Sequence, residues 1–204
     1  MTDSELFLTI KNCDNYKTAG DDVQYCILRN PIEKKVYLIF QETRSDYDWK
    51  VNLDFPCKPY KHQNKFYLVH RGYARTWKSC NDTIMEELIS AWKLDTSVQI
   101  IICGWSYGGA MAQLAAEDFY YRTQHKPDLT TFGSPKILYF YRTKKHFKNS
   151  CNEIKQYAQI NDFTTWCVPF PFVHHIKKIK CGDKFSLKKI FKTEYNHTHY
   201  NEVL

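Results

Sequence analysis

Residues 103–117 read CGWSYGGAMAQLAAE. The chain has seven glycines in 204 residues, and Gly104, Gly108 and Gly109 gather around Ser106. The spacing Gly104-Trp105-Ser106-Tyr107-Gly108 is Gly-x-Ser-x-Gly. A serine at its centre can act as a nucleophile. A tight strand-to-helix turn presents the hydroxyl, small neighbours let strand and helix close up, and the helix aims backbone N–H groups where an oxyanion would form. A plainer account is a glycine turn whose serine caps the next helix. Serine is a weak nucleophile alone. It needs a base, and the base needs an orienting group. In the strand-turn-helix arrangement the chain order is serine, acid, histidine. Asp162 follows the run that ends at Ile160, and His197 and His199 stand near the end of the chain. Asp183, beside Gly182, is a second acid candidate that also reads as a turn residue.

The surrounding pattern supplies elements to position these residues. Runs 24–28 (QYCIL), 35–41 (KVYLIFQ), 65–70 (KFYLVH), 98–104 (VQIIICG), 128–135 (DLTTFGSP) and 154–160 (IKQYAQI) read as strands. The near-continuous apolar run before Gly104 fits a central strand covered on both faces. Two helices are expected between strands. Residues 82–93 carry Asp82 and Thr83 as cap candidates, with Ile84, Leu88 and Trp92 at helical spacing. Residues 109–123 place Ala110, Met111, Leu114, Ala115 and Phe119 on one face. The alternation of strand and helix argues an α/β fold with a largely parallel sheet flanked by helices, in one compact domain over 1–204.

Here the chain resembles the class 3 lipase family, the fungal-lipase-like α/β-hydrolases. GWSYGGAMAQLAA resembles the family's G-H-S-L-G-G-A elbow and helix. TTFGSPKI (130–137) is similar to its T-F-G-x-P-R-V, VHRGYARTW (69–77) to its V-H-x-G-F before a helix, and NDFTTWCVPFP to its N-x-x-D-x-V-P-x-x-P acid loop. HTHY (197–200) is similar to its H-x-x-Y. The resemblance covers roughly residues 35–204. It implies an α/β-hydrolase fold, a triad of Ser106, Asp162 and His197, and hydrolysis of lipid esters without metal or cofactor. It implies oxyanion donors at the backbone N–H of Tyr107 and at Thr43. The chain departs from the family before Thr43, with Gln41 and Glu42 in place of arginine and glycine. Glutamate resists backbone angles that glycine permits, and its carboxylate would oppose an oxyanion unless it points away. The lid equivalent is 44–55, with Trp49 at the family's lid tryptophan; its charges also suit a solvated surface helix. Trimmed connections and an exposed site are expected from the chain's length.

The formal charge of +7 favours anionic partners without choosing among them. His174 and His175 precede a stretch holding Lys177, Lys178, Lys180, Lys184, Lys188, Lys189 and Lys192 among apolar residues. That stretch suits docking on anionic lipid head groups, or strands with lysines on a wet face. No nucleic-acid motif appears, so nucleic acid is not an expected partner. The four histidines 174, 175, 197 and 199 follow no familiar metal pattern. Tyr73, Phe170 and Phe172 suit an acyl pocket or the core equally. The eight cysteines are read as free thiols, since no basic and apolar leader opens the chain. By the same reasoning the expected location is intracellular. The Lys-, Asn- and Tyr-rich, Gly-poor composition is compatible with an AT-rich genome, viral genomes included. The runner-up function is a non-catalytic relative that binds lipid or a protein.

Overall fold

The run Lys35–Phe40 divides its side chains between two cores. Val36, Leu38 and Phe40 enter one, Tyr37 and Ile39 the other, and all five are buried. Alternation with both faces covered is the behaviour of an interior strand. A computed structural model describes residues 1–42, 57–62, 65–139, 147–165, 172–174, 178–182 and 197–204.

Helix α1 (Asp3–Asn12) opens the chain, followed by β1 (Lys17–Ala19), β2 (Val23–Asn30), β3 (Lys35–Phe40), β4 (Cys57–His62) and β5 (Lys65–His70). Then come α2 (Arg71–Lys93), β6 (Gln99–Trp105), α3 (Tyr107–Thr123), β7 (Asp128–Phe132), β8 (Leu138–Tyr139) and β9 (Ile154–Gln159). A 3₁₀ turn (Phe163–Thr165), β10 (Phe172–Val173), β11 (Ile179–Cys181) and a last 3₁₀ turn (Tyr200–Glu202) complete the described elements. The main sheet has the order β1-β2-β3-β6-β7-β9-β11. From β3 to β11 all neighbours are parallel, and β1 and β2 add an antiparallel edge. Helices α2 and α3 cover one face through Trp77, Leu88, Met111, Leu114 and Phe119. Helix α1 covers the other with Leu6, Phe7 and Ile10, beside Trp105, Phe132 and Tyr200. This is the α/β architecture expected from the alternation of elements.

Three details differ from the sequence reading. The helix expected at 82–93 starts at Arg71, so Asp82 and Thr83 lie inside it and cap nothing; residues 71–77 of the segment 69–77 are its first part, and Val69 and His70 end β5. Its N-cap His70 makes no side-chain cap bond, which removed the usual start signal. The strand 65–70 belongs to a second, antiparallel sheet of order β10-β8-β5-β4. Helix α1 was not anticipated, although Thr2 and Glu5 form a reciprocal capping box. Of the eight cysteines, Cys13, Cys26, Cys80, Cys103, Cys151 and Cys181 are free thiols; the Cys57 side chain and Cys167 lie outside the described residues. Tyr73 and Phe172 are both buried, each with its ring against that of His70. Among the described residues no helix is long and apolar enough to cross a membrane. Thr43, segment 44–55, Phe170, His175, Asp183 and the lysines at 177, 184, 188, 189 and 192 lie outside the described residues.

Candidate active site

Strand β6 runs into α3 through Ser106 alone, and that residue takes φ 55° and ψ −123°. A positive φ on a residue with a Cβ is strained and persists only where its surroundings impose it. They do so here. The Ser106 N–H donates to the Phe132 carbonyl at 2.9 Å, and the Ser106 carbonyl accepts from Gly109 N–H at 2.9 Å. The glycines make the turn possible. A Cβ on Gly104 would stand 2.2 Å from the Gly108 carbonyl oxygen, and one on Gly108 would stand 2.5 Å from that of Phe40. Strand, helix and the turn after β3 therefore meet backbone to backbone, which brings the Gln41–Glu42 turn against the elbow. Ser106 makes no side-chain cap bond to α3, contrary to the plain capping account. Tyr107 is the first residue of α3, where backbone N–H groups have no acceptor within their own helix.

The acid and the histidine converge beside the end of β7. Asp162 follows β9 and is fully buried; His197 is 5% exposed. Nδ1 of His197 lies 2.9 Å from Oδ2 of Asp162. His199 is instead half-buried, with its Nδ1 2.8 Å from the Thr198 hydroxyl. Burial pulls the His197 pKa down, but the hydrogen bond to Asp162 and the charges of Asp162 and Glu42 outweigh it and hold the imidazole above 6.5. Its Nε2 is buried and has no hydrogen-bond partner among the described residues. Oε1 of Glu42 lies 3.8 Å from it.

Several supporting residues escaped the sequence reading. The Tyr200 hydroxyl donates to Oδ2 of Asp162 at 2.8 Å and accepts the Gln159 N–H at 2.9 Å. Burial, then the Asp162 charge, push its own pKa well above 10, so it remains a donor. The Thr164 N–H donates to Oδ1 of Asp162 at 2.9 Å, and the Thr164 hydroxyl touches the same oxygen. Trp105 Nε1–H donates to the His197 carbonyl at 3.0 Å, with its ring 5.5 Å from the imidazole. Gly133, at φ 56°, lies so close that a Cβ there would stand 2.8 Å from Cε1 of His197. Tyr200 was visible only as part of H-x-x-Y, and nothing in the local pattern singled out Thr164. Lys178 is no freely solvated lysine. It donates to the Thr165 hydroxyl at 3.2 Å, and burial, with Lys136 nearby, pushes its pKa down to about 8. Lys180 is exposed on β11.

A strained serine at the carboxyl end of a parallel strand, with a buried carboxylate–imidazole pair, is the equipment of an α/β-hydrolase. Residues 37–173 match the family Lipase (class 3), and the chain belongs to that family. The lipase of Rhizomucor miehei is 25% identical over 132 residues, covering 63% of this chain and 36% of that one. The propeptide complex of Rhizomucor miehei lipase has the same fold, with a TM-score of 0.74 and 21% identity over 82% of this chain and 56% of that one. A triacylglycerol lipase whose catalytic centre is a serine protease triad aligns with a TM-score of 0.67 and 21% identity, over 82% of this chain and 64% of that one. The chain thus spans just over a third of the Rhizomucor miehei lipase it matches in sequence.

Proposed function

We propose that the chain is a serine hydrolase acting on carboxylic esters of lipids, acylglycerols or phospholipids. The observation that carries this reading is the 2.9 Å contact between His197 Nδ1 and Asp162 in a site whose serine is held at φ 55°. Ser106 attacks the ester carbonyl. His197 takes the serine proton at Nε2 and returns it to the leaving alcohol. Asp162 orients the imidazole and stabilises its charged form. The Tyr107 N–H, with Thr43 assigned from the family motif alone, binds the tetrahedral oxyanion. Water then releases the acid from the acyl-enzyme. The named activity of the triacylglycerol lipase with the same fold supports a lipid ester as substrate. The basic stretch from Lys177 to Lys192 suits peripheral contact with an anionic membrane surface.

The contact between Glu42 and His197 favours one other reading, a relative that binds lipid and no longer turns over. A carboxylate beside Nε2 opposes negative charge forming nearby. A fluorophosphonate probe applied to the folded chain separates the two. Labelling of the native protein, absent in Ser106→Ala, supports the hydrolase. An unlabelled native chain that still binds lipid vesicles supports the binding protein.

A further inference from the structure

We propose that Thr164 is a positioning residue whose hydroxyl fixes the tautomer of His197; this rests on the roles of Ser106, Asp162 and His197 given above. Thr164 lies two residues after Asp162, in the 3₁₀ turn Phe163–Thr165. Among the described residues its Oγ1 contacts three groups: Oδ1 of Asp162, Nδ1 of His197 at 2.9 Å and the Gly133 carbonyl oxygen at 3.3 Å. A hydroxyl has one proton and two lone pairs. The carboxylate oxygen is the only charged acceptor of the three, so the proton goes there. What faces Nδ1 is then a lone pair, and the two can bond only if Nδ1 carries a hydrogen. That hydrogen is shared between Asp162 Oδ2 and Thr164 Oγ1, each 2.9 Å from the nitrogen.

The consequence falls on the other ring nitrogen. With the single proton of the neutral imidazole held at Nδ1, Nε2 is the acceptor, which is the form a general base for serine requires. Asp162 alone would favour this tautomer, but one acceptor leaves the ring free to swing about that contact. The second, two residues away on the same turn, defines the ring's direction as well. The carboxylate is itself held by four donors: Thr164 N–H and hydroxyl at Oδ1, Tyr200 hydroxyl and His197 Nδ1–H at Oδ2.

The test compares Thr164→Val, which keeps the branched shape without the hydroxyl, with Thr164→Ser, which keeps the hydroxyl. Thr164→Ala replaces the valine variant should that chain not fold. Two readouts are taken: the rate of fluorophosphonate labelling, and ¹⁵N NMR of the His197 ring nitrogens through a pH titration. Loss of the hydroxyl is expected to slow labelling roughly 10- to 100-fold, the scale for a misplaced reacting group. It should also move the ¹⁵N shifts towards a mixture of tautomers, while the serine variant stays near the native protein in both. Equal labelling and equal ¹⁵N shifts in native and valine chains would overturn the proposal. If the native chain does not label at all, the hydrolase reading fails by itself. The ring shifts still decide Thr164, and shifts unchanged by hydroxyl removal reject it.

Discussion

Oε1 of Glu42 stands 3.8 Å from Nε2 of His197, the ring nitrogen that Asp162 does not hold. The imidazole is therefore flanked by carboxylates at both nitrogens, and both hold its pKa above the ordinary value. The base works only when neutral, so activity should rise with pH along a limb centred above 6.5. Glu42→Gln removes one of the two charges and should shift that limb to lower pH, read from the pH dependence of probe labelling or ester turnover. Stability runs the opposite way. Since the folded-state pKa is raised, the native state binds the extra proton more tightly than the unfolded chain. This contribution is full below pH 6.5 and is lost as pH rises through the folded-state pKa. Denaturant midpoints measured across that window should fall with pH, and less steeply in Glu42→Gln.

Gly133→Ala tests how closely backbone lines the site. The new methyl would meet His197 Cε1 at 2.8 Å and Asp162 Oδ2 at 2.9 Å, at a residue whose φ is 56°. Strain of this kind costs about 1–3 kcal/mol. Displacement of the imidazole should lower activity more than about tenfold. Thermal unfolding and labelling rate, measured on the same sample, check both.

Tyr200→Phe should weaken the hold on Asp162 without emptying the core. The ring stays packed against Phe7 and Phe132, while the Gln159 N–H loses its acceptor and Asp162 Oδ2 a donor. A buried donor left unsatisfied costs about 1–3 kcal/mol. Chemical denaturation should show that loss, and the labelling rate should fall with it.

Phe7→Ala should destabilise the chain most. Phe7 is fully buried, with its ring 5.6 Å from Trp105, 5.2 Å from Phe132 and 5.6 Å from Tyr200. Truncating a buried phenylalanine costs about 3–5 kcal/mol. The melting temperature should drop by roughly 6–20 °C, at about 2–4 °C per kcal/mol for a chain of this size. The site should loosen as well, because Trp105 holds the His197 backbone.

The elbow was the most legible part of the molecule, because its glycines and serine stand together in the chain. Gly104 excludes a side chain because Gly108 and Gly109 follow closely, and such a need leaves a mark in the pattern, although Gly108 itself is fixed by the distant backbone of Phe40 and Gln41. The parallel strands were legible because an interior strand must be apolar throughout, as 98–104 is. The start of α2 was not, since His70 offers no side-chain cap. The role of Thr164 was hidden for another reason. Its partners lie 2, 31 and 33 residues away, and a threonine after an acid has many commoner explanations. Glu42 was noticed as a departure, but only the folded chain shows that its carboxylate faces the histidine rather than solvent alone.

Helix α1 grips the last turn. Ser4 donates to the Asn201 carbonyl and Lys11 to the Thr198 carbonyl, across 197 and 187 residues of sequence. Ser106 and His197 are 91 residues apart, and the turn that carries the histidine is closed against α1 across nearly the whole chain. Loop closure of that length is paid before its contacts reward it, and such contacts form late. The nucleophile is thus expected to take shape before its base docks. On this account refolding should restore compactness and helix content before it restores a reactive serine, leaving an interval in which the protein is folded in outline and chemically silent.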